Sequence, residues 1–323
     1  MTSLPEYSQD TLQLPKLGSW PESVHEFDGP QKDALLAAEA AGRPLLIRGE
    51  PGTGKSQLAR AAAVAAGRLF LSVVVNGRTE CEDLQWKFDA VARLGEAQIL
   101  ASVPDADRLS RLQPERFLSP GPLWWALNWS SALEQYEKCF NRLEQVPEPP
   151  AGWRPETGSV LLIDEIDKAD TDLPNGLLET LGNGDFKLPY TGTSVRQTAA
   201  VPSPLVIITT NEERELPPAF VRRCLVLPLS LPEDRDEFIE FLDRRGQVHF
   251  GGACSESVRG KAAELLWDDR QAAIDEGLPK PGQAEYLDLL RAIVTMAKKE
   301  ADQGGLIDQL RRFVFQKSPP PGC

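Results

Sequence analysis

An α/β fold with a parallel sheet, followed by an all-helical C-terminal region, is predicted by three features of the sequence. Short apolar runs recur at 44–47, 69–75, 160–163 and 205–209, and near-continuous runs of this kind suit strands covered on both faces. A glycine-rich loop follows the first run and the Ala-rich segment 57–66 follows the loop, which gives strand, loop, helix and strand in the order of a parallel βαβ unit. After Pro232 the strand-like runs stop, and helical periodicity takes over at roughly 233–245, 256–276, 283–300 and 306–315.

Residues 1–21 are rich in Pro, Ser and polar side chains and read as a weakly ordered lead-in. Segment 29–41 is predicted helical, with Ala34, Leu35, Ala37 and Ala38 on one face and Gly42 as its C-terminal cap. Alanine favours the helix over 57–66, and Gly67 stops it. Three consecutive valines mark 69–75 as a strand. Segments 81–100 and 133–145 read as helices, and the Pro/Gly-rich stretch 147–158 as a surface loop. The expected division is a lead-in over 1–21, an α/β domain over 22–230 and a helical domain over 231–323, in keeping with two domains for 323 residues.

No stretch approaches the roughly 20 apolar residues of a membrane span. No basic segment followed by an apolar run opens the chain, so a cytoplasmic protein is expected. The five cysteines are scattered without CxxC spacing, which suits reduced thiols. His25 and His249 lie far apart, so neither a zinc site nor a histidine base is expected. A net charge of −13 runs against the basic surface of a duplex-binding protein, so nucleic acid is not the expected partner.

Residues 49–56 read Gly49-Glu50-Pro51-Gly52-Thr53-Gly54-Lys55-Ser56, a full match to G-x-x-x-x-G-K-[ST], with Gln57 next in the following helix. Glycines let the backbone curl so that successive N–H groups point at phosphate oxygens. The loop opens a helix, whose free amides favour negative charge. Lys55 would place a point charge on the β- and γ-phosphates, and the Ser56 hydroxyl would ligate Mg²⁺.

The run 160–163 ends in Asp164-Glu165. An apolar strand of this kind delivers two carboxylates to the carboxyl edge of the sheet, where ligands of open α/β sheets bind. Asp164 would hold the Mg²⁺ and Glu165 would orient and polarise an attacking water. Asp167, Lys168 and Asp170 read as a charged surface loop, with Lys168 also suited to facing a neighbouring subunit.

These two motifs and their spacing resemble the AAA+ ATPases, and more narrowly their MoxR-like branch. Thr209-Thr210-Asn211 looks like the segment called sensor 1, in which Asn211 helps to position the lytic water. FKLPYTGTSVRQ within 185–197 resembles the β-hairpin inserted before that strand, and FLSPGPLWWALN the insertion around the second helix. ELPPAFVRRC over 215–224 resembles the segment that carries the arginine finger, with Arg223 in the matching position and Arg222 as the alternate. The lid arginine called sensor 2 has its best match in Lys280, a lysine with no bidentate fork.

The resemblance covers roughly 22–315. It implies a five-stranded parallel sheet of order 5-1-4-3-2 with a helical lid, ATP and Mg²⁺ as ligands, and rings of copies, usually hexamers. It also implies remodelling of a protein partner, as MoxR-like proteins act beside von Willebrand A-domain proteins. A nucleotide-gated switch in a defence or signalling assembly competes with that role, and no residue in the sequence decides ATP against GTP. The Tyr190 hairpin suits either a pore loop or a brace between subunits. Trp124, Trp125 and Trp129 suit a partner contact or, at i, i+4 for the last two, packing of the insertion. Arg235, Arg244 and Arg245 read as a solvated helix face.

Overall fold

The structure is a computed structural model, and it describes residues 7–102, 105–189, 191–297 and 299–315. Five parallel strands form the central sheet: β1 (Leu45–Arg48), β2 (Leu69–Val74), β3 (Ser159–Asp164), β4 (Leu205–Thr210) and β5 (Leu225–Pro228). Their spatial order is β5-β1-β4-β3-β2, the expected 5-1-4-3-2. Leu205 to Ile208 of β4 lie beside Val160 to Ile163 of β3, and Leu69 to Val74 of β2 beside Ser159 to Asp164. Leu161, Ile163, Val206 and Ile208 are buried in one apolar cluster, which explains why these runs carry no polar alternation. The fifth strand escaped the sequence reading because Val226 is exposed and Pro228 ends it, so the segment lacks an unbroken buried run.

Helices flank the sheet. Gly29–Ala41 and Lys55–Ala65 form as their patterns predict, and Gly42 takes the left-handed φ of 59° that a helix-ending glycine supplies. Segment 81–100 is not one helix. Cys81–Gln85 stops at extended Trp86, the short strand Trp86–Phe88 pairs antiparallel with Leu118–Pro120, and Asp89 caps a second helix, Ala90–Ile99, by accepting the Ala92 N–H. The helix expected over 133–145 runs instead over Trp129–Lys138, because the Asn128 side chain caps it at Ser131. Trp124 and Trp125 are buried in the core, with Trp125 packed on Trp129 at 4.8 Å between ring centroids, so the tryptophans pack the insertion. The expected hairpin forms between Asp185–Lys187 and Ser194–Arg196. Tyr190 lies outside the described residues.

The C-terminal helices are Arg235–Phe250, Glu256–Asp275, Gln283–Met296 and Glu300–Val314, packed around Phe238, Leu242, Leu266, Tyr286, Leu290 and Ile307. The chain divides into two units. One unit joins Met1–Tyr7, Gly29–Ile47 and Ala59–Leu227; the other joins Ser8–Asp28, Arg48–Leu58 and Pro228–Cys323. The lead-in is also more ordered than its composition suggests: Thr11–Leu14 pairs antiparallel with Ser23–Glu26, and Leu14 is fully buried. Arg245 is no solvated residue. It is buried, donates to the Glu26 carbonyl at 2.7 Å and pairs with the Glu26 carboxylate at 3.1 Å. Among the described residues no helix is long and apolar enough to cross a membrane.

Candidate active site

In a parallel sheet all carboxyl ends share one edge, so β3 and β4 deliver their following segments to the same side. β1 runs on into the glycine-rich loop. Gly49 has φ 152°, and a Cβ there would meet the Leu229 carbonyl oxygen at 2.0 Å, so no side chain fits. Gly54 has φ 92°, a conformation open to glycine. Lys55 is buried and donates to the carbonyls of Gly49 and Glu50 at 2.7 and 2.8 Å, while Thr53 donates to Glu50 O at 2.9 Å. Ser56 and Gln57 stand in the first turn of the helix Lys55–Ala65, and Gln57 exchanges hydrogen bonds with Ser23.

Glu50 ties the loop to the C-terminal helices of the same unit. Its carboxylate pairs with Lys280, and with Arg270 of the helix Glu256–Asp275 at 2.5 Å. Burial alone would raise the Glu50 carboxyl, but hydrogen bonds from Lys280 and Arg270, and their charge, hold it below the usual range. Arg270 also donates to Pro281 O at 3.0 Å. Lys280 thus meets the loop through Glu50, and it shares that carboxylate with an arginine that sequence reasoning missed. Arg270 lies inside a long amphipathic helix, where one basic residue carries no distinguishing signal. Pro51 and Gly52 complete the contact: a Cβ on Gly52 would stand 2.9 Å from that of Ala284, and the Pro51 carbonyl is 3.6 Å from where a Gly282 Cβ would be.

The end of β3 is tied to β4 by Thr209. Its hydroxyl, fully buried, donates to Asp164 Oδ1 at 2.5 Å and accepts the Glu165 N–H at 2.9 Å. Glu165 takes φ 60°, ψ 48°, left-handed for a residue with a Cβ. Such a conformation costs on the order of 1–3 kcal/mol and persists where neighbouring bonds fix it. The Thr209 bond and the Lys168 N–H donated to Glu165 O at 3.0 Å supply that restraint. Asn211 Nδ2 then reaches Glu165 Oε1 at 3.3 Å. Thr209 stood in the sequence motif without a role; only pairing of β3 with β4 reveals one.

Asp167 departs from the expected solvated loop, whereas Lys168 and Asp170 keep to it. Asp167 is 1% exposed and accepts the N–H groups of Asn211 and Glu213. Lys168 pairs with Glu213 at 2.6 Å, and that hydrogen bond is the main reason its ammonium titrates above the usual lysine value.

Arg222 and Arg223 follow the short helix Pro218–Val221, and both are exposed. Arg223 Nη1 donates to Leu178 O at 3.4 Å. Arg43 binds the backbone of this turn: its guanidinium donates to the carbonyls of Arg222, Arg223 at 3.1 Å and Cys224 at 3.3 Å. Arg43 lies 180 residues away in sequence, so nothing in the local pattern announces it.

A glycine-rich phosphate loop and an apolar strand that ends in an Asp-Glu pair define the class of P-loop ATPases. Residues 44–224, more than half of the chain, match the AAA domain, dynein-related subfamily, and the chain belongs to that family. No curated protein matches. Among solved structures, the chain is similar to a protein from Cytophaga hutchinsonii to which ATPase function is ascribed, at 14% identity and a TM-score of 0.37, over 88% of this chain and 79% of that one. Membership of the family brings ATP binding and, in general terms, ATP hydrolysis.

Proposed function

We propose that the chain is a Mg²⁺-dependent AAA+ ATPase of MoxR-like type that assembles into a ring, of six copies by resemblance, and uses ATP turnover to remodel or activate a protein partner. The observation that carries the hydrolytic part is the Asn211–Glu165 hydrogen bond, set between two strand ends that Thr209 ties together. A carboxylate so oriented is equipped to hold a water in line with a γ-phosphate and to take its proton as the bond to the leaving oxygen breaks. Asn211 fixes the direction of that carboxylate. The loop amides and Lys55 bind the phosphates, and Lys55 exchanges its two loop carbonyls for phosphate oxygens when it does so.

The oxygen donors suit the expected cation: the Ser56 hydroxyl and the Asp164 carboxylate are hard ligands that would hold Mg²⁺. When bound it would neutralise charge on the β- and γ-phosphates. Exposure of Arg222 and Arg223 suits a finger that serves a neighbouring copy. The partner reading, including a von Willebrand A-domain protein, rests on the sequence resemblance. An ATPase assay on purified protein with and without Mg²⁺ tests the chemistry. Affinity capture with Glu165→Gln tests the partner. Absence of Mg²⁺-dependent phosphate release from a folded, nucleotide-binding protein would overturn the proposal.

A further inference from the structure

Asp167 is one of four acids in the stretch Asp164-Glu165-Ile166-Asp167-Lys168-Ala169-Asp170, and it is the buried one, at 1% exposure. A buried carboxylate is costly unless hydrogen bonds satisfy it. Here each oxygen takes a backbone N–H from the segment after β4: Oδ1 that of Asn211 at 3.4 Å, Oδ2 that of Glu213 at 2.9 Å. Between those two donors sits Glu212, held at a left-handed φ of 60°. The Glu212 N–H is itself taken by the Thr210 hydroxyl at 2.9 Å.

We infer that Asp167 is a positioning residue for hydrolysis, the anchor that fixes the Asn211 backbone and thereby aims the Asn211 amide at Glu165. The inference rests on the hydrolytic reading of Glu165 and Asn211. Its geometry is economical: the turn that lifts Glu165 from β3 reaches back two residues later to hold the loop that contacts Glu165. Both partners of the 3.3 Å contact are therefore referenced to one turn. The neighbouring Lys168–Glu213 pair is exposed, 36% and 51% at the side chains, and exposed pairs contribute little.

The test compares Asp167→Ala, Asp167→Asn, Asn211→Ala, the Asp167→Ala/Asn211→Ala double variant and Lys168→Ala. Turnover number and equilibrium binding of a fluorescent ATP analogue are measured separately. Asp167→Ala should lower kcat by about tenfold to 10²-fold, the range for sub-ångström to ångström misplacement, with nucleotide affinity within about twofold. Asp167→Asn keeps the shape and one acceptor oxygen, so its loss should be smaller; it also stands in if the alanine variant does not fold. In the Asn211→Ala background, removing Asp167 should cost no more than about twofold further, because the group it positions is gone. Lys168→Ala should stay within about twofold of wild type.

Folded Asp167→Ala or Asp167→Asn with wild-type kcat would overturn the anchor while leaving the Asn211 role intact. Full additivity in the double variant, or equal loss of affinity and kcat, would also overturn it, since a general structural defect behaves that way. Wild-type turnover in Asn211→Ala would instead overturn the underlying reading and the anchor with it.

Discussion

Asn211 donates its side-chain amide to Oε1 of Glu165 across 3.3 Å, from the end of one strand to the end of its neighbour. The bond is long for an amide–carboxylate contact, where 2.7–2.9 Å marks the charge-assisted strong case. It orients Glu165 without binding it tightly, which leaves lone pairs for a water.

Glu165→Gln is expected to retain Mg-ATP and lose turnover. The amide keeps the shape and an oxygen for Asn211, but no longer acts as a carboxylate toward water. Phosphate release and native mass spectrometry check it: an ATP-loaded protein with kcat reduced by at least about 10²-fold is expected. Turnover within about threefold of wild type would remove Glu165 from the reaction.

Lys55→Ala should lose nucleotide binding. The side chain is buried, its charge now spends itself on two loop carbonyls, and no other residue of the loop is cationic. A titration with a fluorescent ATP analogue should show affinity weakened by more than about tenfold. Unchanged affinity would contradict the loop assignment.

Arg223→Ala should bind ATP nearly normally and hydrolyse it on the order of 10³-fold more slowly, as an arginine finger contributes. If the finger acts between copies, mixing Arg223→Ala with Lys55→Ala recreates interfaces with an intact Lys55 facing an intact Arg223. Part of the activity should return. No return despite subunit exchange would place Arg223 in its own subunit's structure, and the same mixing with Arg222→Ala decides between the pair. Arg43→Met should imitate the finger variant in milder form, since Arg43 fixes the backbone of that turn.

His249 gives the helical unit a pH response. Burial first, then the charges of Arg245 and Arg291, push its pKa down to about 4 from 6.5. Below 6.5 the unfolded chain takes up a proton that the folded imidazole refuses, so stability falls with falling pH between those values and levels off below about 4. Thermal melts across that window should show the decline, and His249→Gln should flatten it. An unchanged slope in the variant would show that carboxylates alone set the acid response.

Much of this was legible from sequence because the decisive patterns are local. A glycine loop between an apolar run and an Ala-rich helix needs no partner to be recognised, and neither does an apolar run ending in Asp164-Glu165. What sequence hid is what pairing creates. Thr209 becomes a bridge only when β4 lies against β3. Asp167 looked like its solvated neighbours because an acid's burial depends on which N–H groups another segment brings to it. Arg43 and Arg270 act across 180 and 220 positions of chain. Segment 81–100 misled because its helical periodicity continues through Trp86–Phe88, where a strand partner outweighs propensity.

The loop around Glu50 also changes what a shortened version of this protein would be. A chain ending before Pro228 looks from the sequence like a tidy nucleotide-binding fragment. It would lack the Leu229 carbonyl that lies where a Gly49 side chain would stand, the Ala284 methyl beside Gly52, and both cations that neutralise Glu50. The fragment would carry a phosphate loop whose Glu50 carboxylate had lost both of its cationic partners. Weak nucleotide binding by such a fragment would therefore speak of the missing scaffold, and the smallest honest unit for biochemistry runs from the Thr11–Leu14 strand through the last helix, Glu300–Val314.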